Sequence, residues 1–211
     1  MSTPERLAYW YLRLNGFLSI ENFVVHPDQG VNQRTDADLL AVRFRHRAEN
    51  LERPMADDPR VSDVDTYVNL IIAEVKTSAC ALNGPWTRVP HRNIHRVLAA
   101  IGCVEEPKTD AVAKSLYAEG CFQDETATIR LMAFGDRPGE LSIPAAQVLY
   151  DDMSEFIWDR LRAYDREKRS VGNWAPDGQK LRRAFDGAGN DETAFRNSVR
   201  QLFGLPPRGT S

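Results

Sequence analysis

The stretch Asn69–Ser78, NLIIAEVKTS, decides how this chain is read. Its apolar run, Leu70 to Ala73, has the length and continuity of a strand buried on both faces, and it closes on Glu74, Val75 and Lys76. Alternate residues of a strand share a face, so Glu74 and Lys76 project together beyond Leu70 and Ile72. A carboxylate and an ammonium at a buried sheet end need partners, because unpaired burial costs several kcal/mol. Taken alone, the two charges read as a salt bridge to each other.

A second strand changes that reading. In TDADLLAVRFR (35–45) an apolar run again begins directly after an acid, Asp38, and the period of two puts Asp36, Asp38, Leu40 and Val42 on one face. Two carboxylates and a lysine converging at one sheet edge make a hard-oxygen site for a divalent ion with an ammonium beside it. Magnesium suits one or two carboxylates completed by water and phosphate oxygens, and manganese can substitute. Lys76 would then orient an attacking water or neutralise charge developing on a phosphoryl group. Asp36 and Asp38 both qualify as the first acid; Asp38 is favoured because the apolar run starts at the next residue.

Around these strands the chain reads as α/β. Ser2, Pro4 and Glu5 form a helix start with a capping box, and Gly16 stops that helix after Asn15. SIENFVVH (19–26) is a strand, His46 to Thr66 a long charged excursion, and Tyr67 to Lys76 the third strand. Helices follow from Arg92 to Ile101 and from Asp110 to Glu119, the latter capped by Thr109. ETATIRLMAF (125–134) is a further strand, and the run from Ile143 to Ser170 one long amphipathic helix. Two short helices, 179–185 and 192–203, end the chain. With 211 residues, 42% hydrophobic and 27% charged, the length suits one main core: a domain over 1–170 with a helical extension, 171–211, packed on it. The three cysteines are too few and too scattered for a disulfide framework, which points to a reducing, cytoplasmic setting. No stretch reads as an export signal or a membrane span.

With Asp38 in TDADLLAV and Glu74 and Lys76 in IIAEVKTS, the chain resembles the PD-(D/E)XK nuclease superfamily, the fold of many restriction endonucleases and Holliday-junction resolvases. The element order helix, strand, strand, strand, helix, strand agrees over roughly Pro4 to Phe134. The resemblance implies a restriction-endonuclease-like three-layer core with a mixed central sheet flanked by helices. It further implies magnesium on Asp38 and Glu74, a catalytic Lys76, and Glu5 where many members carry an additional acid. Two features depart from the pattern: Ala37 stands where a proline is usual, and Asp38 and Glu74 lie 36 residues apart, a spacing that the charged excursion accounts for.

The expected activity is therefore magnesium-dependent hydrolysis of DNA phosphodiester bonds by an endonuclease, with a homodimer left open. The alternatives are a noncatalytic nucleic-acid-binding or assembly module of the same fold, and a structural domain whose charges merely pair. The net charge of −3 gives no overall basic field, so DNA contact must come from local patches. RFRHR (43–47) and RVPHRNIHR (88–96) flank the two motif strands and supply Arg43, Arg88 and Arg92 as phosphate contacts, or else ordinary solvated faces. Trp86 is placed to stack on a base or to plug a loop. His91 and His95 have helical spacing for zinc, but Arg92 stands where a metalloprotease has its glutamate, so they read as surface or phosphate-facing residues.

Overall fold

The computed structural model describes residues 3–26, 35–63 and 65–207. At its centre lies the strand of the opening stretch, β3 (Val68–Val75), buried from Asn69 onward. Its neighbours are β2 (Thr35–Phe44), antiparallel, and β5 (Ala127–Gly135), parallel. β1 (Leu18–Val25) forms the outer antiparallel edge beside β2. On the far side of β5, β4 (Cys121–Gln123) and β6 (Ala146–Leu149) pair with successive halves of that strand. The result is a mixed six-stranded sheet.

Alternation along the central strands divides the core in two. Leu39, Ala41, Ile71, Ala73, Val75, Met132 and Phe134 pack beneath α1 (Pro4–Leu14) and α6 (Tyr150–Ala163). Leu40, Leu70, Ile72, Ile129 and Leu131 pack beneath α4 (Asn93–Ile101) and α5 (Glu106–Glu119). Helices thus flank both faces of the sheet, an arrangement compatible with three layers. The face-to-face burial of aliphatic strands explains why these runs are continuous rather than alternating in hydropathy.

Several element boundaries differ from expectation, each for an identifiable reason. Ser2 lies outside the described residues; the cap position of α1 is Thr3, whose side chain makes no capping hydrogen bond. α5 begins at Glu106, with Pro107 in its first turn, so Thr109 sits inside the helix rather than capping it. The expected long helix from Ile143 is divided: residues 146–149 pair in parallel with Met132–Gly135, and the helix starts only at Tyr150, where Asp152 Oδ2 accepts the Leu149 N–H at 3.2 Å. A ladder position beside β5 outweighs the helical propensity of AAQVL. Gly16, at φ 80°, ends α1 as expected, in a conformation that favours glycine.

The excursion between β2 and β3 contains one helical turn, α2 (Pro59–Ser62), and is held by charge. Arg160 of α6, fully buried, donates to Glu49 Oε2 (2.8 Å), Asp57 Oδ1 (2.7 Å) and the Ala56 carbonyl (3.0 Å). Lys168 also pairs with Glu49, and Asp58 accepts from the Tyr11 hydroxyl at 2.9 Å. At the C-terminal end, α7 (Pro176–Ala188) and α8 (Glu192–Leu202) share the core of α1 and α6. The Trp158 ring lies 4.9 Å from Phe185 and 5.3 Å from Phe195, and Gly178 approaches the Trp10 indole so closely that no Cβ fits between them. No described helix is long and apolar enough to cross a membrane.

Candidate active site

β2 and β3 bring the two acids together. Their register pairs Leu39 with Ala73, so Asp38 and Glu74 stand level one step further along. The β1–β2 ladder skips the position where Asn22 faces Asp38, and Asn22 adopts a left-handed φ of 50°. Strand alternation breaks there too: Ala37 packs in the same cluster as Leu40, so the expected single face from Asp36 to Val42 is interrupted at Asp38. Released from the ladder, the Asp38 carboxylate takes the Val75 N–H at 2.7 Å and is thereby fixed against the end of β3.

Glu74 is nearly sealed, its side chain 2% exposed. Lys76 Nζ and Asn83 Nδ2 both donate to its Oε1, and Trp86 Nε1 donates to Oε2 at 2.8 Å. The lysine is the solvent-facing member of the pair, and the Tyr150 hydroxyl donates to its backbone carbonyl. Lys76 therefore sits just beyond the strand, tethered at both ends.

The electrostatics follow from burial and crowding. Desolvation raises the Glu74 carboxyl above its ordinary range; the Lys76 and Trp86 donors pull it back, and the nearby Asp38 charge pushes it up again. Asp38 is likewise raised by desolvation, with the Val75 N–H and Lys76 opposing and Glu5 and Asp36 adding repulsion. Glu5, in the first turn of α1, thus lies within electrostatic reach of Asp38. Burial also raises the Tyr150 phenol, reinforced by Glu5 and Asp38, so it remains a hydrogen-bond donor. The site holds excess negative charge in a partly dry place, a condition that a bound cation relieves. Among the described residues, however, no three acidic, His or Cys side chains gather as a ready-made metal cluster.

The nucleic-acid contacts expected from the sequence are distributed differently. Trp86 is 1% exposed and spends its indole N–H on Glu74, so it has no free face for a base. Arg43 is drawn inward by Asp57 (2.6 Å) and the Asn15 carbonyl (3.2 Å), and Arg45 and Arg47 pair with Asp65 and with Asp57 and Glu49. Acids of the excursion neutralise that basic cluster. Arg88 and Arg92 remain exposed between α3 (Gly84–Thr87) and α4, Arg92 meeting Asp110 at 3.3 Å. His95 Nε2 also contacts Asp110, at 3.1 Å.

Sequence reasoning missed Asn22, Asn83 and Tyr150. Asn83 and Trp86 were legible only as neighbours in a loop, NGPW, and nothing in their spacing says that the loop folds back on Glu74. Tyr150 lies 74 residues from Lys76, a contact that no local pattern encodes. Compared with family models, with curated proteins and with solved structures, the chain matches none.

Proposed function

We propose that the chain is a metal-dependent phosphodiesterase acting on DNA, with a core of the restriction-endonuclease-like kind. The observation that carries this reading is the level placement of Asp38 and Glu74 on adjacent strands with the Lys76 ammonium on Glu74. The element order supports it: α1, β1, β2, β3, then helices and the strands β4 and β5, in line with the helix, strand, strand, strand, helix, strand order that the resemblance implies.

Magnesium fits the donor set, since both acids offer hard oxygens and burial, with the neighbouring acid charge added, makes each costly to ionise without a cation. Asp38 and Glu74 would hold the ion, with Glu5, which acts on Asp38 electrostatically, as a supporting acid. Bound there, it would supply Lewis-acid stabilisation of the charge that builds up on a phosphodiester under attack. The side chains do the rest. Trp86 and Asn83 hold the Glu74 carboxylate in one orientation, and the Val75 N–H does the same for Asp38. Lys76 must leave Oε1 before Glu74 can offer that oxygen to a cation. Once released, its ammonium is free to orient a water or meet a developing oxyanion.

The second reading is a noncatalytic module of the same fold. It draws on the full set of donors already satisfying Glu74 and on the lack of a third clustered acid among the described residues. A plasmid-nicking assay with magnesium or manganese, run beside melting curves, separates the two. The expectation is cleavage that falls roughly a hundredfold in Lys76→Met, the scale of losing one preorganised charge, while the magnesium-induced rise in Tm persists. Wild-type protein inert on duplex, branched and single-stranded DNA would favour the noncatalytic module.

A further inference from the structure

A groove of about 670 Å³ opens between the segment 89–95 and α5, well furnished and unused by the reading above. One wall is apolar, Val89 and Pro90; the other is the flank of Tyr117 and Ala118 on α5. Val89 is an exposed aliphatic side chain, 55% accessible, with no core role. Arg92 and Lys114 stand among the lining residues, one on each wall. Among the described residues Arg92 pairs with the well-exposed Asp110, and such surface pairs contribute little, so an incoming anion can take it over. Lys114 has no ion-pair partner among the described residues.

The chemistry of this slot is specific in three respects. A lining to which both the 89–95 segment and α5 contribute apolar side chains suits a flat ring, which loses little entropy on insertion. Two cations on opposite sides suit a phosphate attached to that ring. Asp110, whose carboxylate is drawn to Arg92 and to His95 Nε2, adds an acceptor for a ring amino group. His95, which also lines the groove through its ring, keeps a buried Nδ1 without a partner among the described residues. Arg92 is held at a left-handed φ of 53°, a conformation unusual outside glycine and asparagine.

We propose that the groove between the 89–95 segment and α5 binds a nucleoside monophosphate unit, either free or as an unpaired nucleotide of a DNA strand, with its base between Val89 and Ala118 and its phosphate on Arg92 and Lys114. The site is separate from the acids of β2 and β3 and requires no metal. It therefore stands whether or not the chain cleaves DNA.

The test is binding by the full chain in EDTA, which silences any metal site. Deoxyadenosine monophosphate, adenosine, inorganic phosphate and a six-nucleotide deoxyadenylate are each titrated and followed by NMR shifts or anisotropy. Lys114→Glu reverses the phosphate-binding charge and Ala118→Trp fills the slot; both positions are exposed, and melting curves check that the variants fold. Each variant is expected to weaken binding roughly tenfold or more, the scale of one lost phosphate contact or base stack. Binding of the mononucleotide with that loss supports the site for free nucleotides. Binding of the hexamer alone, with the same loss, supports it for a strand. Absence of binding to either, wild-type affinity in both variants, or inorganic phosphate matching the mononucleotide would overturn the proposal.

Discussion

Asp38 carries the sharpest consequence at the scale of single residues. Its folded-state pKa is raised above the ordinary 3.8 by desolvation and by the Glu5 and Asp36 charges. A carboxyl raised on folding takes up its proton more readily in the native state, so it favours the fold below its ordinary pKa and loses that contribution as pH rises through the folded value. At neutral pH the ionised Asp38 is thus a burden on the metal-free protein. Asp38→Asn keeps an acceptor for the Val75 N–H and removes the charge. It is expected to raise Tm at pH 7 by about 2–4 °C, equivalent to roughly 1 kcal/mol, and to abolish the magnesium-induced shift. The advantage should shrink as pH falls from the raised value toward 3.8, because wild-type Asp38 then becomes neutral too. Melting curves of both proteins across that range, in EDTA, make the comparison; an advantage that grows on acidification would reverse the sign and refute the crowding account. Asp38, Glu74 and Lys76 were legible in the sequence because each interrupts an apolar strand where a charge has no packing purpose. The donors around them were not. Asn83 and Trp86 gain meaning only when their loop closes on Glu74, and Trp86 looks in sequence like any loop aromatic.

Among elements, the excursion from His46 to Thr66 and helix α6 are joined by one buried guanidinium. Arg160 reaches Glu49, Asp57 and the Ala56 carbonyl while fully covered. Removing one member of such a group leaves the others charged in a dry place, which costs more than the intact pairing contributes. Arg160→Met keeps most of the volume, so packing loss is small. The expected cost is about 3 kcal/mol, or a Tm lower by roughly 6–12 °C, with the His46–Thr66 segment the first to lose amide-exchange protection. A melting curve within 2 °C of wild type would show, on the same conversion, that Arg43, Arg47 and Lys168 alone suffice to hold the acids. Sequence patterning located β1, β2, β3, β5 and α1 closely, because their periods and punctuating glycines are local features. It ran β6 and α6 together, since AAQVL favours a helix by propensity and becomes a strand only beside Met132–Gly135. It also passed over β4, three residues long, which exists only as a partner for β5.

At the scale of the whole molecule, α7 and α8 are part of the main core. Leu181, Phe185, Phe195, Val199 and Phe203 lie in the same cluster as Trp10, Tyr11, Phe156 and Trp158. Ending the chain at residue 170 would expose the Trp158 ring and the outer side of α1, and the Arg6–Asp177 pair (2.5 Å) would be lost with them. Each large apolar side chain so uncovered forfeits about 1.5–3 kcal/mol of burial, and several together exceed the stability of a typical domain. The 1–170 fragment is therefore expected to aggregate or to melt without cooperativity, as read by light scattering and near-ultraviolet circular dichroism. A soluble fragment with a cooperative transition near that of the full chain would identify the last helices as an accessory layer.

By itself the sequence determined the α/β class, the strands that carry Asp38 and Glu74 with Lys76 just past the second, and the absence of an overall basic field, because hydropathy period and charge placement are properties of short segments. Only the tertiary structure decided that the RFRHR arginines face the acids of the excursion, that Trp86 turns inward to hold Glu74, and that Tyr150 anchors Lys76. Each of those outcomes is a competition among partners far apart in the chain. It is settled by which groups the sheet and its flanking helices bring within hydrogen-bonding distance and by the cost of leaving a buried charge unpaired.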